Sequence, residues 1–213
     1  MRSWISISRK NKIVMYKLAP NTKLVLASAS PRRKDLLESV GLEFEILPAQ
    51  INEEGVDIKD GAALVRELAS LKAKKVATLV SDDSWILAAD TIVALDGKIY
   101  GKPSDPAQSS IMLHELSGKE HQVYGGYTLI NRAKSVSETK VVCSKVSFYQ
   151  LEPELIKAYV ASGEPKDKAG AYGIQGLGQL LVREISGSYS NIVGLDLALV
   201  IRMFLQYGII KLR

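Results

Sequence analysis

The stretch from Leu24 to Arg33, Leu-Val-Leu-Ala-Ser-Ala-Ser-Pro-Arg-Arg, constrains the fold more than any other part of the chain. Leu24, Val25 and Leu26 are apolar and bounded by small residues, the pattern of a central strand in an α/β sheet. Ser28 or Ser30 suits a helix N-cap. Pro31 suits the first helical position, where its missing N–H had no intrahelical partner to lose. A strand that runs straight into a helix also leaves free N–H groups at the turn, and Arg32 and Arg33 add two permanent charges beside them. Such a turn attracts an anion, a phosphate or polyphosphate above all. An ordinary capped helix with solvated arginines would look the same from this stretch alone, so the rest of the chain has to decide.

Downstream, the periodicity predicts a helix over 31–40 with Leu36, Leu37 and Val40 on one face, ended by Gly41, and a second strand over 44–47. Asp60 caps a longer helix to about Thr78 with Val65, Leu68, Ala69 and Val76 inward. Lys72 falls on that same face, where it either snorkels outward or reaches a buried anion. Residues 85–95 read as an apolar strand interrupted by Asp90 and Thr91, closed by an Asp96-Gly97 turn and a return strand over 98–100. Asp105-Pro106 opens a helix ending near Ser117-Gly118. Long strands are predicted over 121–130 and 136–149, then a helix over 152–161, a Gly-rich passage from Gly170 to Gly178, a strand over 179–185, and a closing helix from Asn191 to about Leu205. Strands and helices mix without repeats or linkers. The expectation is an α/β fold, a mixed twisted sheet in two lobes with flanking helices and a cleft between them, built as a single domain over 21–213. Residues 1–20 are basic, contain serines and lack acidic residues. They read as an organelle transit segment or, better, as a start codon placed early with Met15 as the first residue, and they are expected to lie outside the fold.

The single cysteine, Cys143, excludes an internal disulfide, and with only two histidines a Cys/His zinc site is disfavoured; a reducing, cytoplasmic setting fits. No apolar run approaches the roughly 20 residues of a membrane span. The net charge of +5 is either an excess of solvated lysines or suited to nucleic acid or small polyphosphates. Basic runs interleaved with aromatics are missing, as are zinc-finger, basic-zipper and RNA-recognition signatures, so small anionic substrates are favoured over nucleic acid.

Asp90 is the second anchor. A carboxylate inside Ile86-Leu87-Ala88-Ala89-Asp90-Thr91-Ile92-Val93 is costly to bury unless a cation or backbone N–H groups meet it. It suits a hard-cation ligand or a general base, since Mg²⁺ takes one or two carboxylates plus substrate phosphates. Glu53 and Glu54 could add a carboxylate or stand as a solvated pair. Lys102, in Gly101-Lys102-Pro103, is a phosphate ligand or a surface lysine; the segment is not a Walker loop. Gln175 sits between glycines, where backbone can approach a ligand, and its amide could read a base edge. His121 reads as structural. No Ser-His-Asp or Cys-His arrangement argues for covalent catalysis.

Together these segments resemble the Maf nucleotide pyrophosphatases, relatives in fold of the inosine-triphosphate pyrophosphatases, from about Lys23 to Tyr207. The carriers are Ala27–Arg33, Ala89-Asp90-Thr91, Gly101-Lys102-Pro103, Leu116-Ser117-Gly118 and the long run from Glu164 to Gly176. The resemblance implies hydrolysis of a nucleoside triphosphate to the monophosphate and pyrophosphate, with Asp90 as proton acceptor and a divalent metal, Mg or Mn, held by Asp90 and Glu53. It assigns base preference to Arg32, Thr91 and Gln175, and phosphate handling to Ser28, Arg33, Lys72 and Lys102, which turns Lys72 inward. The Tyr-Gly-Ile-Gln-Gly segment is similar to the branch acting on dTTP and UTP. A homodimer is a further family-level expectation. Alternative readings are a nucleotide-sensing regulator of cell division with little turnover, and a pyrophosphatase for another non-standard nucleotide. Two departures stand out: Gly125 where the family has Thr, and Asn52 where it is commonly acidic. The first could alter a substrate contact and the second weaken metal binding.

Overall fold

The computed structural model describes residues 15–53 and 55–213. Strand β1 (Tyr16–Leu18) is followed by β2 (Leu24–Leu26), α1 (Pro31–Ser39), β3 (Glu45–Ile46), α2 (Gly61–Ala77), β4 (Trp85–Leu95), β5 (Lys98–Tyr100) and α3 (Pro106–Leu116). Two long strands come next, β6 (Glu120–Asn131) and β7 (Val136–Phe148), then α4 (Pro153–Ala161) and three short 3-10 turns. Strand β8 (Val182–Ser186), α5 (Tyr189–Val193), α6 (Leu197–Gln206) and β9 (Ile210–Leu212) complete the chain.

The main sheet runs β3-β2-β4-β6-β7-β8, with β5 on the edge of β4. Strands β3, β2 and β4 are parallel, whereas β6, β7 and β8 continue antiparallel, so the sheet is mixed as expected. The register shows why a cleft forms. Strand β2 pairs with β4 only over Trp85–Leu87, and β5 pairs with it only over Val93–Leu95. Between them one edge of β4 has no strand beside it, because β2 has already turned away into α1. Asp90 and Thr91 lie in that gap, just past the carboxyl end of β2 and of its parallel pairing with β4, the side on which α/β sheets bind ligands.

Alternation along β4 builds a core on each face. Leu24, Leu26, Trp85, Leu87 and Ala89 pack with Leu37 of α1 and Phe204 of α6. Val25, Ala27, Ile86 and Ala88 pack with Ala73, Val76 and Ala77 of α2. Beyond the gap a separate core gathers Val93 and Leu95 with α3, α4, Phe148 and Tyr172. These cores are the two lobes, with the cleft between.

Three expectations need correction. Tyr16–Leu18, placed outside the fold on composition, pairs antiparallel with Ile210–Leu212, and Tyr16 and Leu18 pack on the first core. Amphipathic contact, not residue bias, governs here; residues 1–14 and Glu54 lie outside the described residues. The closing helix is two helices, split at Gly194, whose φ of 133° no helix accommodates. The strand expected from Gln179 starts at Val182, since Gly176–Leu181 coils as a 3-10 turn. Of the two cap candidates, Ser30 holds the N-cap position without a side-chain cap bond, and Ser28 Oγ instead accepts the Ser30 N–H at 3.2 Å.

Candidate active site

A cleft of about 760 Å³ opens over the gap in β4 and is bordered by both lobes. All the site residues read from the sequence line it: Ser28, Arg32, Arg33, Glu53, Lys72, Asp90, Thr91, Lys102 and Gln175.

Asp90 is 6% exposed and faces α2, as Ile86 and Ala88 do four and two residues earlier. There Lys72 Nζ stands 2.5 Å from Asp90 Oδ1 and 2.8 Å from Glu53 Oε1. The lysine points inward, and its ammonium is the cation that makes the buried carboxylate tolerable. Two carboxylates thus converge on one cationic point.

Thr91 turns to the opposite face, where Arg33 is built into the wall. Its Nε donates to the Gly194 carbonyl at 2.9 Å, one terminal nitrogen to Ser28 Oγ at 3.0 Å, and the other to Thr91 Oγ1 at 3.1 Å. None of these acceptors carries charge. Burial pushes the Arg33 pKa below its ordinary value, opposed chiefly by the Asp90 carboxylate, and an arginine stays protonated regardless. Its positive charge is therefore held in place without a bonded counter-ion.

Arg32 is different. It reaches across the cleft to Asp167, at 2.8 Å to the carboxylate and 3.3 Å to the backbone carbonyl. Lys168 holds the other carboxylate oxygen at 2.7 Å. Burial would raise the Asp167 pKa, but the bonds from Lys168 and Arg32 outweigh it and hold it at about 2. Sequence reasoning missed Asp167, Lys168 and the Gly194 carbonyl. The signal for the first two was present, since they stand in the motif from Glu164 to Gly176. A carbonyl has no sequence signal at all.

Lys102 is exposed at the rim and, among the described residues, has no ion-pair partner. His121 is fully buried, with Nε2 2.8 Å from the Tyr172 hydroxyl, a structural role as expected. Among the described residues five cationic side chains and three carboxylates line the cleft, an excess of two positive charges suited to a polyphosphate.

Among the described residues no group of three or more His, Cys, Asp or Glu side chains stands ready to cage a metal. The Asp90–Glu53 pair nonetheless fits a divalent cation. Hard carboxylate oxygens are the right donors, and Mg²⁺ normally takes only one or two of them, with its other ligands from phosphates and water.

Residues 23–207 match the family model described as Maf-like protein. The chain belongs to that family. Among curated Maf relatives, the dTTP/UTP pyrophosphatase of Syntrophus aciditrophicus is 43% identical over 186 residues, 87% of this chain and 90% of that one. Those of Desulfotalea psychrophila and Geobacter metallireducens are 43% and 47% identical, covering 93% and 85% of this chain and 100% and 94% of theirs.

The departure at Gly125 has a structural cause. A Cβ there would stand 2.1 Å from both Asn191 Oδ1 and the Tyr127 hydroxyl. Those two atoms are hydrogen-bonded to each other at 2.5 Å, and Asn191 Nδ2 donates to Val123 O and Ser144 Oγ, each at 3.0 Å. The space a Thr side chain would enter is filled by a buried polar network.

Proposed function

We propose that this protein hydrolyses dTTP and UTP to the monophosphate and pyrophosphate. The observation that carries the proposal is the pairing, on adjacent residues of one strand, of a buried carboxylate on a cationic point and an arginine-lined wall with uncompensated charge. Curated relatives of similar length named for this activity supply the substrate class.

In this reading the triphosphate lies along the gap in β4, with Arg33, Lys72 and Lys102 drawing its charge and the Ser30-Pro31 helix start facing the phosphates. Asp90 accepts the proton of the water that attacks the α-phosphorus, and pyrophosphate leaves. A divalent metal held by Asp90 and Glu53 would neutralise the phosphates and lower the pKa of that water. Lys72 then exchanges a carboxylate for phosphate oxygens. Arg32, Thr91 and Gln175 border the base end, and most of the acceleration comes from positioning and charge stabilisation.

Pyrophosphate release from dTTP, UTP, CTP, 7-methyl-GTP and ITP with Mg²⁺ or Mn²⁺ tests the reading. Native protein is expected to prefer dTTP and UTP, and Asp90→Asn to lose about a thousandfold in turnover, the scale of a lost general base. Folded protein that turns over none of these nucleotides would sink the proposal.

A further inference from the structure

One short turn carries two carboxylates that have no part in the chemistry above: Asp167 lines the cleft, and Glu164 stands behind the loop that carries Gln175. The turn is the 3-10 segment Glu164–Asp167 after α4. Asp167 holds Arg32, as described. The Glu164 carboxylate accepts from Leu177 N–H at 2.9 Å, Gly178 N–H at 3.0 Å and the Tyr159 hydroxyl at 3.0 Å. The Tyr159 hydroxyl in turn accepts from Gly173 N–H at 3.2 Å. These bonds fall on both sides of Gln175, so the loop that carries it is pinned at each end.

The glycines of this loop fit the pinning. A Cβ at Gly176 would stand 2.6 Å from Glu164 Oε2, and one at Gly173 would stand 2.9 Å from Lys168 Cε. They make room for the protein's own side chains.

We propose that Glu164 and Asp167 are specificity-positioning residues, Glu164 fixing the loop that presents Gln175 and Asp167 fixing Arg32 to face an uncharged pyrimidine edge. The proposal rests on the function proposed above. A guanidinium without a carboxylate partner takes any anion, whereas a paired one offers its remaining N–H groups as directional donors to a neutral carbonyl. Replacing Glu164 by Gln sets an amide NH₂ against a loop N–H and unpins one end.

The test is equilibrium binding of the non-hydrolysable α,β-methylene analogues of UTP and CTP, with inorganic tripolyphosphate as the probe of the phosphate end. Native protein is expected to prefer the UTP analogue. Glu164→Gln should cut that preference about tenfold, keep tripolyphosphate affinity within about twofold, and add nothing in a Gln175→Ala background. Asp167→Asn should also cut the preference and add nothing to it in an Arg32→Gln background, but it should tighten tripolyphosphate, since Arg32 is then free to take an anion; it carries the test if Glu164→Gln does not fold. Additive effects in the double variants, or tripolyphosphate weakened as much as nucleotide, overturn the inference. Native protein that binds both analogues equally overturns it together with the base reading. Preference for the UTP analogue without pyrophosphate release from UTP defeats only the hydrolase reading, and the double variants then still decide the positioning role.

Discussion

Lys72 shows how one side chain can be legible in type and ambiguous in place. Helical spacing put it on the buried face of α2, but only the structure shows the ammonium between Asp90 and Glu53. Replacing it by Met leaves a 6% exposed carboxylate without its partner. The expected cost is about 3 kcal/mol or more, read as a lower urea midpoint, along with a large loss of turnover. Gly125 makes the opposite case, in which a residue is explained by what fills the space beside it. Gly125→Thr should destabilise by about 1–3 kcal/mol in chemical denaturation, because the added atoms must displace the Tyr127–Asn191 bond. An unchanged midpoint would show that the network yields at no cost.

Strand β6 carries the clearest pH dependence. Burial pushes the His121 pKa from 6.5 down to about 4, with Glu120 opposing weakly. Between those values the unfolded chain takes up a proton that the folded one refuses. Stability is thus complete above about pH 6.5 and declines as pH falls towards 4, by up to on the order of 3 kcal/mol. His121→Phe should lose some stability at neutral pH, since the buried Tyr172 hydroxyl loses its partner, yet show a flatter limb between pH 6.5 and 4 in thermal melts. Elements with strong periodicity or capping chemistry were the legible ones. Strand β4 and helix α2, with Asp60 bonded to Ala63 N–H at 2.7 Å, occur where spacing puts them. The residues read as site residues all line one cleft, and three of them, Lys72, Asp90 and Thr91, stand inside these two legible elements. What escaped depends on distant partners. Strands β1 and β9 span only Tyr16–Leu18 and Ile210–Leu212 and have no meaning apart from each other. The bond of Asp167 to Arg32 crosses 135 residues, and those of Glu164 join a loop without regular periodicity, so the motif that carries both residues does not display their partners.

At the scale of the molecule, the excess positive charge of the cleft should draw triphosphates in over a distance set by ionic strength. Affinity for a nucleoside triphosphate is expected to fall steadily between 50 and 500 mM salt, roughly, with turnover of bound substrate little changed. Insensitivity to salt would place the charges in the wall only for structure. No helix among the described residues is long and apolar enough to cross a membrane. Beneath the cleft, β4 and β6 run without interruption from one lobe to the other, in register from Ile86–Ile130 to Ala94–Gln122. Lobes joined by a continuous ladder of backbone bonds cannot swing apart on a linker as hinged domains do. The separation between the pinned Gln175 loop and the Arg33 wall is consequently set before any ligand arrives. Such a molecule measures its guest as a gauge does, so a nucleoside diphosphate is expected to bind more weakly than the triphosphate whatever its base, which calorimetry with the two checks.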